Sequence, residues 1–157
     1  MLTAVDVNKL ISIDGVIKPP AISIGFGLPV CVVYTSMNPT LIALEKAGPL
    51  AKSLKSGIEI LAVQTVPFAV PLNDPSVPFE FLVKRLKEMA AQFPELPVPI
   101  KISAYLCRDQ LEALKRVLNR NCPVVMGVKK KWWPSRDERL ARKLRQAGYN
   151  VILVETE

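Results

Sequence analysis

Cys122-Pro123-Val124-Val125-Met126-Gly127-Val128-Lys129-Lys130-Lys131-Trp132-Trp133-Pro134-Ser135 is the stretch from which the rest of this chain is best read. Its first half is a short apolar run bounded by proline, rich in β-branched residues and without polar alternation. A strand covered on both faces, as in a parallel sheet, has this pattern. The second half is a basic, aromatic loop, and open α/β sheets bind their ligands beyond the carboxyl ends of the strands.

On the carboxyl side, Ser135-Arg136-Asp137-Glu138 places an N-cap residue three positions before a glutamate. That spacing predicts a helix with Leu140, Leu144 and Ala147 inward and Gly148 as its stop. Val151-Ile152-Leu153-Val154 follows as a last strand. On the amino side, Asp109-Gln110-Leu111-Glu112 resembles a capping box opening a helix that buries Leu111, Leu114 and Leu118. The strand before it, Ile100 to Leu106, carries Ser103 and is more polar, which makes it a candidate sheet edge.

The same alternation continues toward the amino terminus. Phe79, Leu82, Val83, Leu86, Met89, Ala90 and Phe93 fall on one side of a helical period, with Lys84, Arg85, Lys87 and Glu88 on the other. A proline-rich connection through Pro67, Pro71 and Pro75 separates that helix from a strand over Ile58 to Val66. Leu41, Leu44, Ala47, Leu50, Ala51 and Leu54 form one face of an earlier helix closed by Gly57, which Gly48-Pro49 is expected to kink or divide. Val30 to Tyr34 is the first buried strand. Five strands alternating with four helices predict an α/β fold, a doubly wound parallel sheet with helices on both faces.

Residues 1–28 stand apart from this pattern. Asp14-Gly15 is a two-residue hairpin signal between Leu10-Ile11-Ser12-Ile13 and Val16-Ile17, and Lys18-Pro19-Pro20 forces an extended segment. An appended arm or hairpin is expected over 1–28, placed to cover a sheet edge or reach a second subunit, with one domain over 29–157.

Composition narrows the function classes. A chain of 157 residues with 50% hydrophobic content can bury roughly two thirds of its unfolded surface in one core. Its apolar runs fall short of the ~20 residues of a membrane helix. The amino terminus has neither a basic n-region nor an unbroken apolar stretch, so no signal peptide and a cytoplasmic location are expected. Cys31, Cys107 and Cys122 each lie in an apolar segment and are expected to be reduced core residues. With no histidine, no paired Cys-x-x-Cys and no acidic cluster, neither a metal site nor a histidine-based catalytic set is expected. The chain therefore reads as a non-enzyme. A net charge of +7 favours an anionic partner.

The element order, the run Val125-Met126-Gly127 ending strand four, and Ala43-Leu44 followed by Ala47 in helix one resemble the universal stress protein family over residues 29 to 154. The resemblance implies an adenine nucleotide alpha hydrolase-like sheet of order 3-2-1-4-5, a ligand cleft between strands one and four, and a homodimer. The expected dimer seam is the C-terminal strand Val151–Val154 or the N-terminal arm. In the ATP-binding branch of that family an aspartate ends strand one, a valine in strand two meets adenine, and glycines after strand four wrap the phosphates. Aligned on Ala43-Leu44, the aspartate position falls on Thr35, Val63 matches the valine, and Met126-Gly127 match the start of the glycine motif. The second glycine position is occupied by Lys130, and Ser135 takes over the helix start. Without those glycines, amides cannot approach phosphate oxygens unobstructed. ATP, or another adenine nucleotide, is expected to bind weakly or not at all by the family's mode.

The site candidates are thus Thr35, Ser36, Val63, Met126, Gly127, Lys130 and Ser135. For Lys129, Lys130 and Lys131 an anion site and a solvated loop are balanced readings. For Trp132 and Trp133, packing over the sheet edge or a dimer seam is preferred to stacking on a base. Arg136, Arg139, Arg142, Lys143 and Arg145 are expected to be a solvated helix face, and nucleic-acid binding ranks behind the other readings. The leading expectation is a non-enzymatic, dimeric regulatory or interaction module. The alternative is a binder of a nucleotide or other anionic small molecule through Lys129–Lys131.

Overall fold

The computed structural model describes residues 11–12, 28–65, 84–86, 88–89, 92, 98, 100–107 and 109–156. Strands are β1 (Ile11–Ser12), β2 (Val30–Val33), β3 (Ile58–Thr65), β4 (Ile100–Cys107), β5 (Pro123–Lys129) and β6 (Asn150–Thr156). Helices are α1 (Met37–Ser53), α2 (Gln110–Val117) and α3 (Arg136–Gln146), with further helical residues at 84–86 and 88–89. The Asp14-Gly15 hairpin, the proline-rich connection and most of the helix expected over 79–93 lie outside the described residues.

All strands from β2 to β6 pair in parallel, and the sheet order β1-β4-β3-β2-β5-β6 contains the expected 3-2-1-4-5 arrangement once β2 is counted as strand one. Period-two alternation splits the strand residues between two apolar layers. Val30, Val32, Ile58 and Ile60 face α1, whose Ala43, Leu44, Ala47 and Ala51 complete one layer. Cys31, Val33, Leu61, Val124 and Met126 face Leu114 of α2 and Leu140, Ala141 and Leu144 of α3. Burial of each large aliphatic side chain contributes about 1.5–3 kcal/mol, so two filled layers hold the sheet in register. All three cysteines are buried, and burial pushes the Cys31 thiol far above its usual range; it is inert as a nucleophile.

Two expectations are corrected. The polar strand β4 is not an edge: Ile11 pairs with Ala104 and Ser12 with Ser103 in antiparallel register on its outer side. Its polar residues instead serve a cross-strand set, with Ser103 Oγ donating to Glu59 Oε2 at 3.2 Å and Lys101 Nζ 3.9 Å from the same carboxylate oxygen. Nor does Gly48-Pro49 divide the first helix, because α1 runs unbroken from Met37 to Ser53 with Pro49 inside it. The carbonyl that Pro49 cannot serve belongs to Glu45, which is exposed, so the missing amide does not strand a carbonyl in the core.

The two long helices end in the same motif by different residues. At α3, Gly148 has φ +99, with Gly148 N–H donating to Arg145 O and Tyr149 N–H to Leu144 O, both at 3.1 Å. That is a Schellman stop with glycine where the left-handed backbone favours it. At α1, Lys55 takes the equivalent position with φ 54, its amide donating to Lys52 O at 3.1 Å and that of Ser56 to Ala51 O at 2.9 Å. The stop expected at Gly57 is two residues earlier. Lys55→Gly is expected to raise stability by about 1 kcal/mol, since a non-glycine residue there costs roughly that much; urea denaturation showing no gain would contradict it.

Candidate functional site

The crevice between β2 and β5, where strand order reverses, is bridged by side chains and backbone of the chain itself. Thr35, just beyond β2, donates its hydroxyl to Gly127 O at 2.6 Å, and its own amide donates to Thr40 Oγ1 at 3.2 Å. The first turn of α1 presses on β5 so closely that a Cβ at Gly127 would lie 2.0 Å from Pro39 O. Gly127 does not have positive φ; glycine is required here by space. Beyond it, Lys130 N–H donates to Thr156 O at 2.7 Å, extending the β5–β6 ladder. The start of the expected phosphate loop, Gly127 to Lys130, is therefore engaged in sheet pairing and helix packing.

The other candidates divide among different tasks. Met126 is fully buried in the α2–α3 layer. Ser36 is exposed at the N-cap of α1 and makes no side-chain cap bond. Ser135 caps α3, its Oγ accepting from Glu138 N–H at 3.2 Å, as its spacing predicts, and Asp109 does the same for α2 through Glu112 N–H at 3.1 Å. Of the seven, Thr35 and Val63 alone line the cavity described next.

That cavity lies to one side of the crevice, at the ends of β2 and β3. It has a volume of about 350 Å³ and is walled by Tyr34, Thr35, Val63, Gln64, Thr65, Arg85, Gln110, Arg136 and Asp137. Burial raises the Tyr34 hydroxyl above its ordinary pKa, with the nearby Arg85 charge opposing. Asp137 is likewise raised by burial, against the charges of Arg136 and Lys131. Lys131 thus sits near the rim, while none of Lys129, Lys130 and Lys131 lines the hollow. Their side chains are exposed.

Trp132 and Trp133 lie 5.0 Å apart between ring centroids at a tilt of 49°. Trp132 is 91% and Trp133 55% exposed, so the packing over this chain's own sheet edge expected of them does not occur. Among the described residues no group of three His, Cys, Asp or Glu side chains is placed to hold a metal ion, and no described helix is long and apolar enough to cross a membrane.

Sequence reasoning missed Gln64, Thr65, Arg85, Gln110, Arg136 and Asp137 as neighbours of one hollow. Thr65 ends its strand and Gln110 opens its helix, a placement that points toward a switch-point site. Arg136 was merged with Arg142 and Arg145 into one basic helix, although Arg145 is occupied: its Nε and Nη2 donate to Val151 O at 3.1 and 2.8 Å.

No family model matches the sequence, and no curated protein does. Among solved structures, the chain is similar to a universal stress protein crystallised in complex with cAMP, at 13% identity and a TM-score of 0.48, over 82% of this chain and 98% of that one.

Proposed function

We propose that this protein is a universal-stress-protein-like, non-enzymatic regulatory or interaction module, formed by residues 29–157 with 1–28 as an appended arm, in which ATP binding by the glycine-loop mode is weak or lost. The observation that carries this reading is the Thr35 hydroxyl bonded to Gly127 O at 2.6 Å. It occupies the place where an acidic side chain would hold sugar hydroxyls, and ties down the residue from which a phosphate loop would start. An aspartate accepts two hydroxyl donors; this threonine has spent its donor on the backbone. A homodimer through β6 fits its position at the outer edge of the sheet, with Ile152 40% exposed. Among the described residues no strand pairs with its outer side, and such an edge invites a second strand beside it.

Thermal-shift measurements with ATP, ADP, AMP and cyclic AMP, with and without magnesium, test the nucleotide part. No magnesium-dependent stabilisation by ATP is expected, and a robust one would overturn it. Sedimentation at micromolar concentration tests the dimer, which a purely monomeric boundary would remove. A second reading, binding of an anionic small molecule, is supported by the cations Arg85 and Arg136 in the cavity wall, rather than by the exposed Lys129–Lys131 loop.

A further inference from the structure

The strand-end hollow does not stop at the strands. It shares Thr65, Gln110 and Arg136 with a second hollow of about 480 Å³ that runs outward between α2 and α3, so the two form one trough. Along the α3 wall of the outer part stand Arg136, Arg139 and Lys143. Steps of three and four residues put all three on a single helix face, with charges spread over about 10 Å of helix axis. Among the described residues, no hydrogen bond or ion pair reaches any of these three side chains. Like charges at such spacings repel and weaken the helix that carries them, and an anion lying along the stripe reverses that effect.

We propose that this trough binds a linear polyphosphate group, as carried by a nucleoside di- or triphosphate, with its phosphates laid along Arg136, Arg139 and Lys143. The inference rests on the anion-binding reading above and moves the anion from the loop after β5 to the face of α3. Arginine forks and a lysine ammonium supply charge-assisted bonds to phosphate oxygens. Thr65 and Gln110, at the junction of the two hollows, add neutral donors. Tyr34 and Val63 wall the inner hollow and give an apolar surface to the organic part of the ligand. Of the trough's two carboxylates, Asp109 is engaged by the Glu112 amide, and Asp137 faces the inner hollow beside Arg136.

Calorimetric titration of the full chain with inorganic tripolyphosphate and with ATP, both without magnesium, tests this. Both are expected to bind the native chain. Arg139→Glu combined with Lys143→Glu is expected to weaken each by about tenfold or more, whereas Lys130→Glu combined with Lys131→Glu, the same change in net charge, weakens them less than about threefold. Equal weakening by the two pairs would show that binding follows net charge alone and would overturn the site, as would failure of tripolyphosphate to bind the native chain. Should the glutamates disturb the fold by circular dichroism, Arg139→Ala with Lys143→Ala gives the same readout, with a loss of about fivefold expected and no loss overturning the site. Absence of tripolyphosphate binding together with absence of magnesium-ATP binding sinks this inference and leaves the lost-ATP reading standing. Magnesium-dependent ATP binding that survives the α3 pair sinks both.

Discussion

Gly127→Ala is expected to lower stability by about 3 kcal/mol or more, near the upper end for overpacking substitutions, and to lower Tm by roughly 6–12 °C for a chain of this size. The added Cβ would sit 2.0 Å from Pro39 O and 2.5 Å from Pro39 C, and both are backbone atoms that no rotamer change can move aside. Either the first turn of α1 lifts away from β5 or β5 leaves its register between β2 and β6. The first loosens the layer in which Ala43 and Leu44 are fully buried. The second breaks pairings of β5 with strands on both sides. Gly148→Ala makes a useful contrast: the nearest side-chain atom there is Arg120 Nη1 at 3.8 Å, so its cost is backbone strain alone, about 1–2 kcal/mol. Thermal or urea unfolding of the two variants checks the order, and a smaller loss for Gly127→Ala would mean that α1 does not bear on β5 as described.

Thr35→Asp is expected to cost about 2–3 kcal/mol at neutral pH, comparable to leaving a desolvated polar group without its partner. The threonine hydroxyl donates to Gly127 O, while an ionised carboxylate only accepts and would face that carbonyl oxygen as a second acceptor. The protonated acid restores a donor, so the folded state holds the proton more tightly than the unfolded chain does and the carboxyl pKa is raised on folding. Its stabilising contribution is present below the unfolded pKa and is lost as pH rises through the folded one. The deficit of Thr35→Asp against Thr35→Asn should therefore shrink as the solution is acidified from neutral toward the carboxylate range. A deficit independent of pH would contradict the geometry. The same variant is expected not to gain magnesium-ATP stabilisation, because Val128 and Lys129 stay in the β5–β6 pairing and the Lys130 amide stays committed to Thr156 O.

Local chemistry made much of the fold legible. Ser135 and Asp109 show their caps in the residue three positions on, and both caps form. Gly148 shows its stop because a left-handed position favours glycine. The uninterrupted apolar runs mark strands sandwiched between helices, since only two-sided burial removes the polar alternation. What failed were features decided by tertiary context. The polarity of β4 reflects its cross-strand partner Glu59 rather than an open edge, and the antiparallel cover comes from Ile11 and Ser12, remote in sequence. Lys55 adopts a glycine's conformation because α1 must turn into β3, and nothing about lysine announces it.

The site was only partly legible for a related reason. Thr35 and Gly127 were picked out as neighbours, and they are, but as partners closing the crevice. Which of two adjacent crevices stays open depends on how near α1 approaches β5, a distance no spacing encodes. The stripe Arg136, Arg139, Lys143 was visible as a three-and-four step, yet Arg142 and Arg145 on other faces blurred it into a uniformly basic helix. The Lys129–Trp133 loop drew attention by composition, although its lysine side chains stay outside both hollows.

The claim that the chain has closed the strand-end crevice and kept an anion trough beside it is most directly tested by titrating ATP without magnesium into isotopically labelled protein and following backbone amide resonances. The largest shifts are expected at Thr65, Gln110, Arg136, Arg139 and Lys143, with Thr35 and the amides of 127–130 unmoved. Shifts centred instead on Thr35 and residues 127–130 would contradict it.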